Sequence, residues 1–320
     1  MKKISIIIPL YNLEGLIGKC IASALDQDLP PEEYEVIVVD DGSTDGSLAA
    51  AQRAACGHAN VQVHAKPNEG VSLARNYGTE RAAGRYVMYV DADDYLSPSV
   101  LGGLTQIMDR ERLDMLCFDM AGVDEHGGDL PLWSDGLFAR GGGEVQSGRD
   151  FLRRDCFLPM ACAYLYDRAM LERHGLGMLP MRHEDEEFTP RAIYFAKRIR
   201  YVPIRVYNYL QHNGSFMGSY DPQRRSDFVR AMKSLTGFAA LIEESDPEGA
   251  RLMRLHVGKT MFFACKQTIL GRQGNAREML RDARQQGVMP LAFRRYNFRH
   301  FLINRAPALF VLYYRLHKRR

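Results

Sequence analysis

The sequence predicts an α/β protein, with a doubly wound, mostly parallel sheet in the first two thirds of the chain and a helical C-terminal region after it. Three observations predict this. Short β-branched runs alternate with helical apolar spacing through the first 118 residues, the pattern of repeated strand-helix units. From about Phe228 onward only helical spacing remains. Finally, 320 residues with 46% apolar and 25% charged content allow two domains and a sizeable core without disulfide or metal staples, which excludes disordered and fibrous classes.

The elements follow in order. Met1-Lys2-Lys3 and the apolar run Ile4 to Leu10 have the outline of a secretion signal. Ser5 and Pro9 break that run and no small-residue cleavage site follows, so it reads as a buried first strand. Leu13, Leu16, Ile17, Cys20, Ile21, Ala24 and Leu25 then recur at helical spacing. Glu35 to Asp40 is a second strand, Ser47 to Cys56 an Ala-rich helix, Val61 to His64 a third strand, Val71 to Ala83 a helix and Arg85 to Val90 a fourth strand. Ser97-Pro98 is a cap with proline at the first helical position, which places a helix start there. Met115 to Phe118 is a strand. From Asp119 to Gly148 the periodicity dissolves into a Gly-rich stretch whose length marks a mobile, substrate-facing segment. Cys162 to Tyr166, Arg200 to Val202 and Arg205 to Tyr209 are further strands, with helices closed by Gly175 and opened by His183-Glu184-Asp185-Glu186-Glu187. Phe228 to Glu244, Gly249 to Leu270 and Ala276 to Gln286 are helices. The boundary falls near residue 220.

Charge is unevenly shared. The chain carries +3 overall, yet residues 291–320 hold eight Lys or Arg and no acid, which leaves −5 on the rest. The basic residues interleave with Phe293, Phe298, Phe301, Leu309 and Phe310, so the tail is a basic amphipathic module suited to an anionic surface, a membrane or a nucleic acid. The apolar run Ala306 to Tyr314 is far below the ~18 residues that span a bilayer, so no span is expected. Six scattered cysteines with no C-x-x-C pair fit a reducing cytosol.

In open α/β sheets ligands bind at the carboxyl ends of strands. Those ends carry Pro9-Leu10-Tyr11-Asn12, Asp40-Asp41-Gly42-Ser43 and Asp91-Ala92-Asp93-Asp94, with Arg75-Asn76 on the intervening helix. Carboxylates gathered in one crevice need a cation, and an oxygen-only set without His or Cys favours Mg²⁺ or Mn²⁺. Neither G-x-G-x-x-G after the first strand nor G-x-x-x-x-G-K-[ST] occurs, so a nucleotide here must be held by carboxylates, an arginine and a metal.

These four segments, Ser5 to Asn12, Val38 to Asp45, Gly70 to Asn76 and Asp91 to Asp94, resemble in order and spacing the motif set of family 2 glycosyltransferases of the GT-A fold, bacterial surface-polysaccharide members in particular. The resemblance covers residues 4–95 closely and extends loosely to Ser215. It implies a GT-A catalytic domain over 1–220, with a nucleotide-sugar half to about 95 and an acceptor half from 96, followed by the helical region 221–320. It also implies roles. Asp41 would bond the uracil edge, Arg75 the base, and the Pro9 to Tyr11 backbone would line the nucleoside pocket. Asp91 would hold the ribose and Asp93 a Mn²⁺ or Mg²⁺ ion bridging the diphosphate. Asp185 is similar to the family's general base at a helix start, and the implied reaction inverts the donor's anomeric centre. In the Tyr207 to Ser215 stretch, Leu210 and His212 stand where basic residues are common in such members, so no role passes to them.

The implied activity is transfer of a sugar from a UDP-sugar to a hydroxyl of a glycan or lipid-linked acceptor during cell-surface polysaccharide synthesis, by an enzyme peripheral to the inner face of the plasma membrane. The alternative is a non-enzymatic nucleic-acid or membrane binding protein that uses the basic C-terminal module. The carboxylate set favours the enzyme, and Arg interleaved with large apolar residues favours a lipid surface over nucleic acid. Residue-level alternatives stay open. Asp40 to Ser43 also suits an ordinary capped turn, Glu184 to Glu187 also complements a helix dipole, and Tyr164, Tyr166, Tyr207 and Tyr209 read as packing residues.

Overall fold

The computed structural model describes residues 2–132, 134–211, 222–271 and 274–317. Its first four strands and three helices alternate: β1 (Ile4–Leu10), α1 (Ile17–Leu25), β2 (Tyr34–Asp40), α2 (Ser47–Ala55), β3 (Val61–Ala65), α3 (Val71–Arg81) and β4 (Tyr86–Tyr89). Every residue of β1, β2 and β4 is buried, which explains their near-continuous apolar runs. There follow β5 (Tyr95–Leu96), α4 (Leu101–Glu111), β6 (Met115–Val123), β7 (Asp129–Leu130), α5 (Gly148–Arg154), β8 (Tyr164–Asp167), α6 (Arg168–Arg173), α7 (Glu184–Phe195) and β9 (Ile199–Leu210). Among the described residues these strands form one nine-stranded sheet in the order β3-β2-β1-β4-β8-β6-β9-β5, with β7 paired to β6. The sheet is parallel from β3 to β4. It turns mixed where β8 inserts antiparallel between β4 and β6.

Three local expectations change. The helix placed at Ser97 begins at Leu101, because its cap comes from elsewhere. The Val100 and Leu101 N–H groups donate to Gln27 Oε1 at 3.1 and 3.3 Å, and Gly102 N–H donates to Asp28 Oδ1 at 2.7 Å. Ser97 is committed to β9 instead, donating from its N–H to Val206 O at 2.8 Å. The two short strands around 200–209 are one strand, and its register against β6 shifts on both sides of Asp119, so extra residues of β9 are absorbed there as bulges. The Gly-rich segment is more ordered than its composition implies: β6 continues to Val123 and folds back through β7, with Asp124 Oδ1 accepting from the His126 and Gly128 N–H groups.

The chain divides into two compact units, Met1–Pro180 with Phe188–Ser215 and Met181–Glu187 with Phe216–Arg320. The second is built from α8 (Pro222–Ile242), α9 (Pro247–Gly271), α10 (Ala276–Gln285), α11 (Phe298–Arg305) and α12 (Pro307–Leu316). Its tail forms two short helices, α11 and α12. Gly258 lets the chain pass close to α9, since a Cβ there would stand 1.9 Å from Ala292 O. Asn304 exchanges hydrogen bonds with the Leu291 backbone at 2.8 and 2.9 Å. One face of the tail, with Leu302, Ile303, Phe310 and Val311, is buried, while Phe298, Phe301, Leu309, Leu312 and Leu316 are exposed. Lys318, Arg319 and Arg320 lie outside the described residues, as do His212 and the expected boundary at 220. No described helix is long and apolar enough to cross a membrane.

Candidate active site

The candidate residues of the first unit gather where β1, β2 and β4 end. The exits of β1 and β2 are laced together: Asn12 N–H donates to Ser43 Oγ at 3.1 Å, and Asn12 Oδ1 accepts from Thr44 N–H at 2.8 Å. Leu13 N–H donates to Ser47 Oγ at 2.7 Å. Pro9 is buried in β1, and Tyr11, just past its end, is exposed.

Asp41 is buried, and its carboxylate organises the approach to α3. Oδ1 accepts from Lys66 Nζ at 2.6 Å and from Glu69 N–H at 3.1 Å, while Oδ2 accepts from Gly70 N–H at 2.7 Å. Burial alone would lower the Lys66 ammonium, but Asp41 and Glu69 outweigh it and hold it above the ordinary lysine range. Gly42 next to it has φ +71°, and a Cβ there would stand 2.8 Å from Asn68 N, so only glycine fits this turn. A carboxylate oxygen has about two acceptor sites, so Oδ2 keeps capacity for one further donor. Lys66 was invisible to motif reading; its sole trace is a cation one residue past a strand and four before Gly70.

Arg75, buried on α3, donates from Nη2 to Asp91 Oδ1 at 2.6 Å, which joins two of the expected nucleoside-binding residues in one ion pair. Asp91 opens a tight turn in which Asp94 N–H donates to Asp91 O at 3.0 Å. The turn is fastened from β9. Tyr207 hydroxyl donates to Asp94 Oδ2 at 2.6 Å and accepts from Asp91 N–H at 3.1 Å, and Leu210 N–H donates to Asp94 Oδ1 at 2.8 Å. Tyr207, expected to be a packing residue, is therefore also a hydrogen-bonding brace. Tyr164 and Tyr166 are fully buried packing residues as expected.

Negative charge is dense here. Burial first, then Asp93 and Asp91, push the Asp94 carboxyl well above its ordinary range against the opposing bonds from Tyr207 and Leu210. Burial and the same three aspartates push up the Cys20 thiol, which donates to Asp91 O at 3.5 Å. A cation would relieve this field, so the residues fit a hard metal. Among the described residues no three His, Cys, Asp or Glu side chains form a cage. The fitting mode is one or two protein carboxylates with the remaining oxygens from a diphosphate and water. Asp93, between Asp91 and Asp94 in the sequence, is half-buried.

Asp185 stands half-buried in the first turn of α7, in the segment Met181–Glu187 that belongs to the second compact unit. Its neighbours in that turn have structural partners. Glu187 Oε1 accepts from Ser234 Oγ at 2.8 Å, and Glu186 pairs with His183 Nδ1.

The family model described as "Glycosyl transferase family 2" matches residues 5–174. The glycosyltransferase YibD of Escherichia coli K12 is 31% identical over 67% of this chain and 62% of its own length. Poly(ribitol-phosphate) beta-glucosyltransferase of Bacillus spizizenii W23 is 29% identical over 79% of this chain and 39% of its own. The chain thus spans less than two thirds of these relatives. Among solved structures, residues 1–349 of Staphylococcus aureus TarS in complex with UDP superpose with a TM-score of 0.74 at 22% identity, covering 99% of this chain and 90% of that one. This likeness shows the GT-A fold.

Proposed function

The chain belongs to glycosyl transferase family 2, and from that premise we propose that it moves a sugar from a UDP-sugar to a hydroxyl of a glycan or lipid-linked acceptor, inverting the anomeric centre, in cell-surface polysaccharide synthesis. The observation that carries the reading is the Arg75–Asp91 pair at 2.6 Å beside Asp93, at the strand ends where Asp41 and Tyr11 also lie. Support for the donor class comes from TarS, which was solved with UDP-GlcNAc, and for the polymer class from the poly(ribitol-phosphate) transferases among the relatives.

In this reading residues 1–220 are the catalytic domain. Asp41 offers its remaining Oδ2 capacity to the uracil imide, Pro9 and Tyr11 line the nucleoside, Arg75 contacts the base, and Asp91 holds the ribose. Asp93 would hold Mn²⁺ or Mg²⁺, which when bound supplies charge neutralisation for the leaving nucleoside diphosphate; a mannosyltransferase of Pyrobaculum calidifontis with this fold was solved with GDP-Man and Mn²⁺. Asp185 takes the proton of the acceptor hydroxyl as the new bond forms, a role worth about 10²–10⁴-fold in rate. The exposed apolar residues of α11 and α12 with Arg294, Arg295, Arg299, Arg305 and Arg315 rest on the anionic inner face of the plasma membrane.

The test is a panel of UDP-sugars assayed for Mn²⁺-dependent UDP release, followed by Asp185→Asn in the productive pair. Expected are a loss of transfer of at least ~10²-fold with UDP affinity unchanged, and a product of inverted configuration. Near-parental transfer by Asp185→Asn or a retained configuration refutes the mechanism.

A further inference from the structure

A cavity of about 390 Å³ in the first unit is lined by Asp119, Ser134, Asp135, Phe138, Tyr201 and Arg205, with Met120 and Leu158 among its apolar walls. Strand register places it relative to the donor residues. Met88 of β4, Leu165 of β8 and Leu116 of β6 stand in one row across the sheet. Asp119 lies three residues past Leu116 in β6 and Asp91 two residues past the end of β4, and these strands run the same way, so both stand toward the carboxyl ends of β4 and β6. A line of rings runs between the two strands. Tyr89 contacts Tyr166, Tyr166 contacts Tyr164, Tyr164 contacts Phe138, and Phe138 stacks on Tyr201 at 5.9 Å and 22°.

The lining has a definite chemistry. Tyr201, buried, donates its hydroxyl to Asp119 Oδ1 at 2.8 Å, which fixes that carboxylate and leaves Oδ2 without a hydrogen bond among the described residues. Asp135 spends Oδ2 on Leu132 N–H at 3.0 Å, and its Oδ1 and the Ser134 hydroxyl make no hydrogen bond among the described residues. The one lining cation, Arg205, is already paired with Asp129 at 2.7 Å and donates to Asn208 at 2.9 Å. The cavity therefore offers acceptor oxygens, a small hydroxyl and apolar walls, with net negative charge. Hydroxyl groups donate to such oxygens, and an anionic group would meet two carboxylates and a neutralised arginine.

We propose that this cavity is the subsite that selects the acceptor, and that it takes a neutral, hydroxyl-rich sugar unit rather than a phosphorylated polyol or a uronate. The proposal rests on the glycosyltransferase reading above and adds to it the class of acceptor. It separates this chain from the poly(ribitol-phosphate) transferases among its relatives.

Saturation-transfer NMR on the full chain with UDP and Mn²⁺ tests it, using methyl β-glucoside, methyl β-galactoside and methyl β-N-acetylglucosaminide as neutral probes and ribitol 5-phosphate and glucuronate as anionic ones. Expected is a signal from at least one neutral glycoside and none from the anions. Asp119→Asn/Asp135→Asn keeps the shape and removes both charges. It should weaken the neutral probe about 10-fold and raise binding of ribitol 5-phosphate, with UDP affinity unchanged. Neutral binding indifferent to the double variant, no neutral binding beside normal UDP binding, or preferential binding of ribitol 5-phosphate by the parent overturns the proposal and leaves the donor reading intact. Failure of the parent to bind UDP overturns the donor reading, and the proposal falls with it.

Discussion

Tyr207→Phe removes one oxygen atom from a fully buried ring and keeps the ring's packing. The loss falls on two bonds. The hydroxyl donates to the buried Asp94 carboxyl group at 2.6 Å, and leaving that buried acceptor without its donor costs about 1–3 kcal/mol. It also accepts from the Asp91 N–H at 3.1 Å, a neutral hydrogen bond that adds about 1 kcal/mol. The expected destabilisation is about 2–3 kcal/mol, or a midpoint fall of roughly 4–12 °C at the two to four degrees per kcal/mol usual for a unit of this size. Thermal melting by circular dichroism reads the first quantity. Calorimetric titration with UDP in Mn²⁺ reads the second, and affinity should fall because the Asp91 turn loses its brace. A ring that merely packs would give a melting curve within about a degree of the parent and the same UDP affinity, and that pair of results would refute the reasoning.

Asp93→Asn should abolish transfer and remove the Mn²⁺ dependence of UDP binding; UDP affinity indifferent both to this change and to EDTA would count against a metal role. The tail prediction concerns residues 291–320, where each Lys or Arg near an anionic surface contributes roughly 1 kcal/mol. Sedimentation with phosphatidylglycerol vesicles should retain the full chain at low salt and lose it when the five arginines are replaced by glutamine; equal binding of both proteins would sink it. His174, stacked on Phe195 at 4.3 Å, is held below its ordinary range by burial first and then by Arg173 and Lys197. A histidine depressed in the folded state contributes stability that is present above about pH 6.5 and is lost as pH falls through its lower folded pKa. Urea unfolding of His174→Gln should accordingly show a shallower loss between pH 7.5 and 5 than the parent, and identical slopes would disprove the assignment.

The first 95 residues were legible because their elements are signalled locally. Apolar runs such as Ile4 to Leu10, each followed by helical spacing, state strand and helix independently of tertiary partners, and the acidic strand ends stand at fixed places in that alternation. What could not be read depends on distant residues. The α4 cap comes from Gln27 and Asp28, more than 70 positions away, and overrides the local Ser97-Pro98 signal. The single strand β9 looked like two because Pro203, Ile204 and Arg205 are exposed at its bulge and break the apolar pattern. Lys66 and Tyr207 acquire their roles through Asp41 and Asp94, and neither carries a motif of its own. The sequence marks Asp185 through its resemblance to the family's general base at a helix start, and its part in the chemistry remains the proposal that Asp185→Asn addresses.

The hydroxyl that braces the Asp91–Asp94 turn is supplied 113 residues later in the chain than the carboxylate it binds. On a ribosome adding about 5–20 residues per second, the turn leaves the tunnel some 6–23 s before its fastener has been made. During that interval β1 to β4 can pair, since all four are complete, but Asp94 has neither Tyr207 nor the Leu210 N–H. The end of the sheet that carries Asp91 to Asp94 is thus among the first parts of the protein to be synthesised and among the last to be finished. A nascent chain carries its aspartates well before it can hold them in place, and the turn stays unfastened until β9 has emerged.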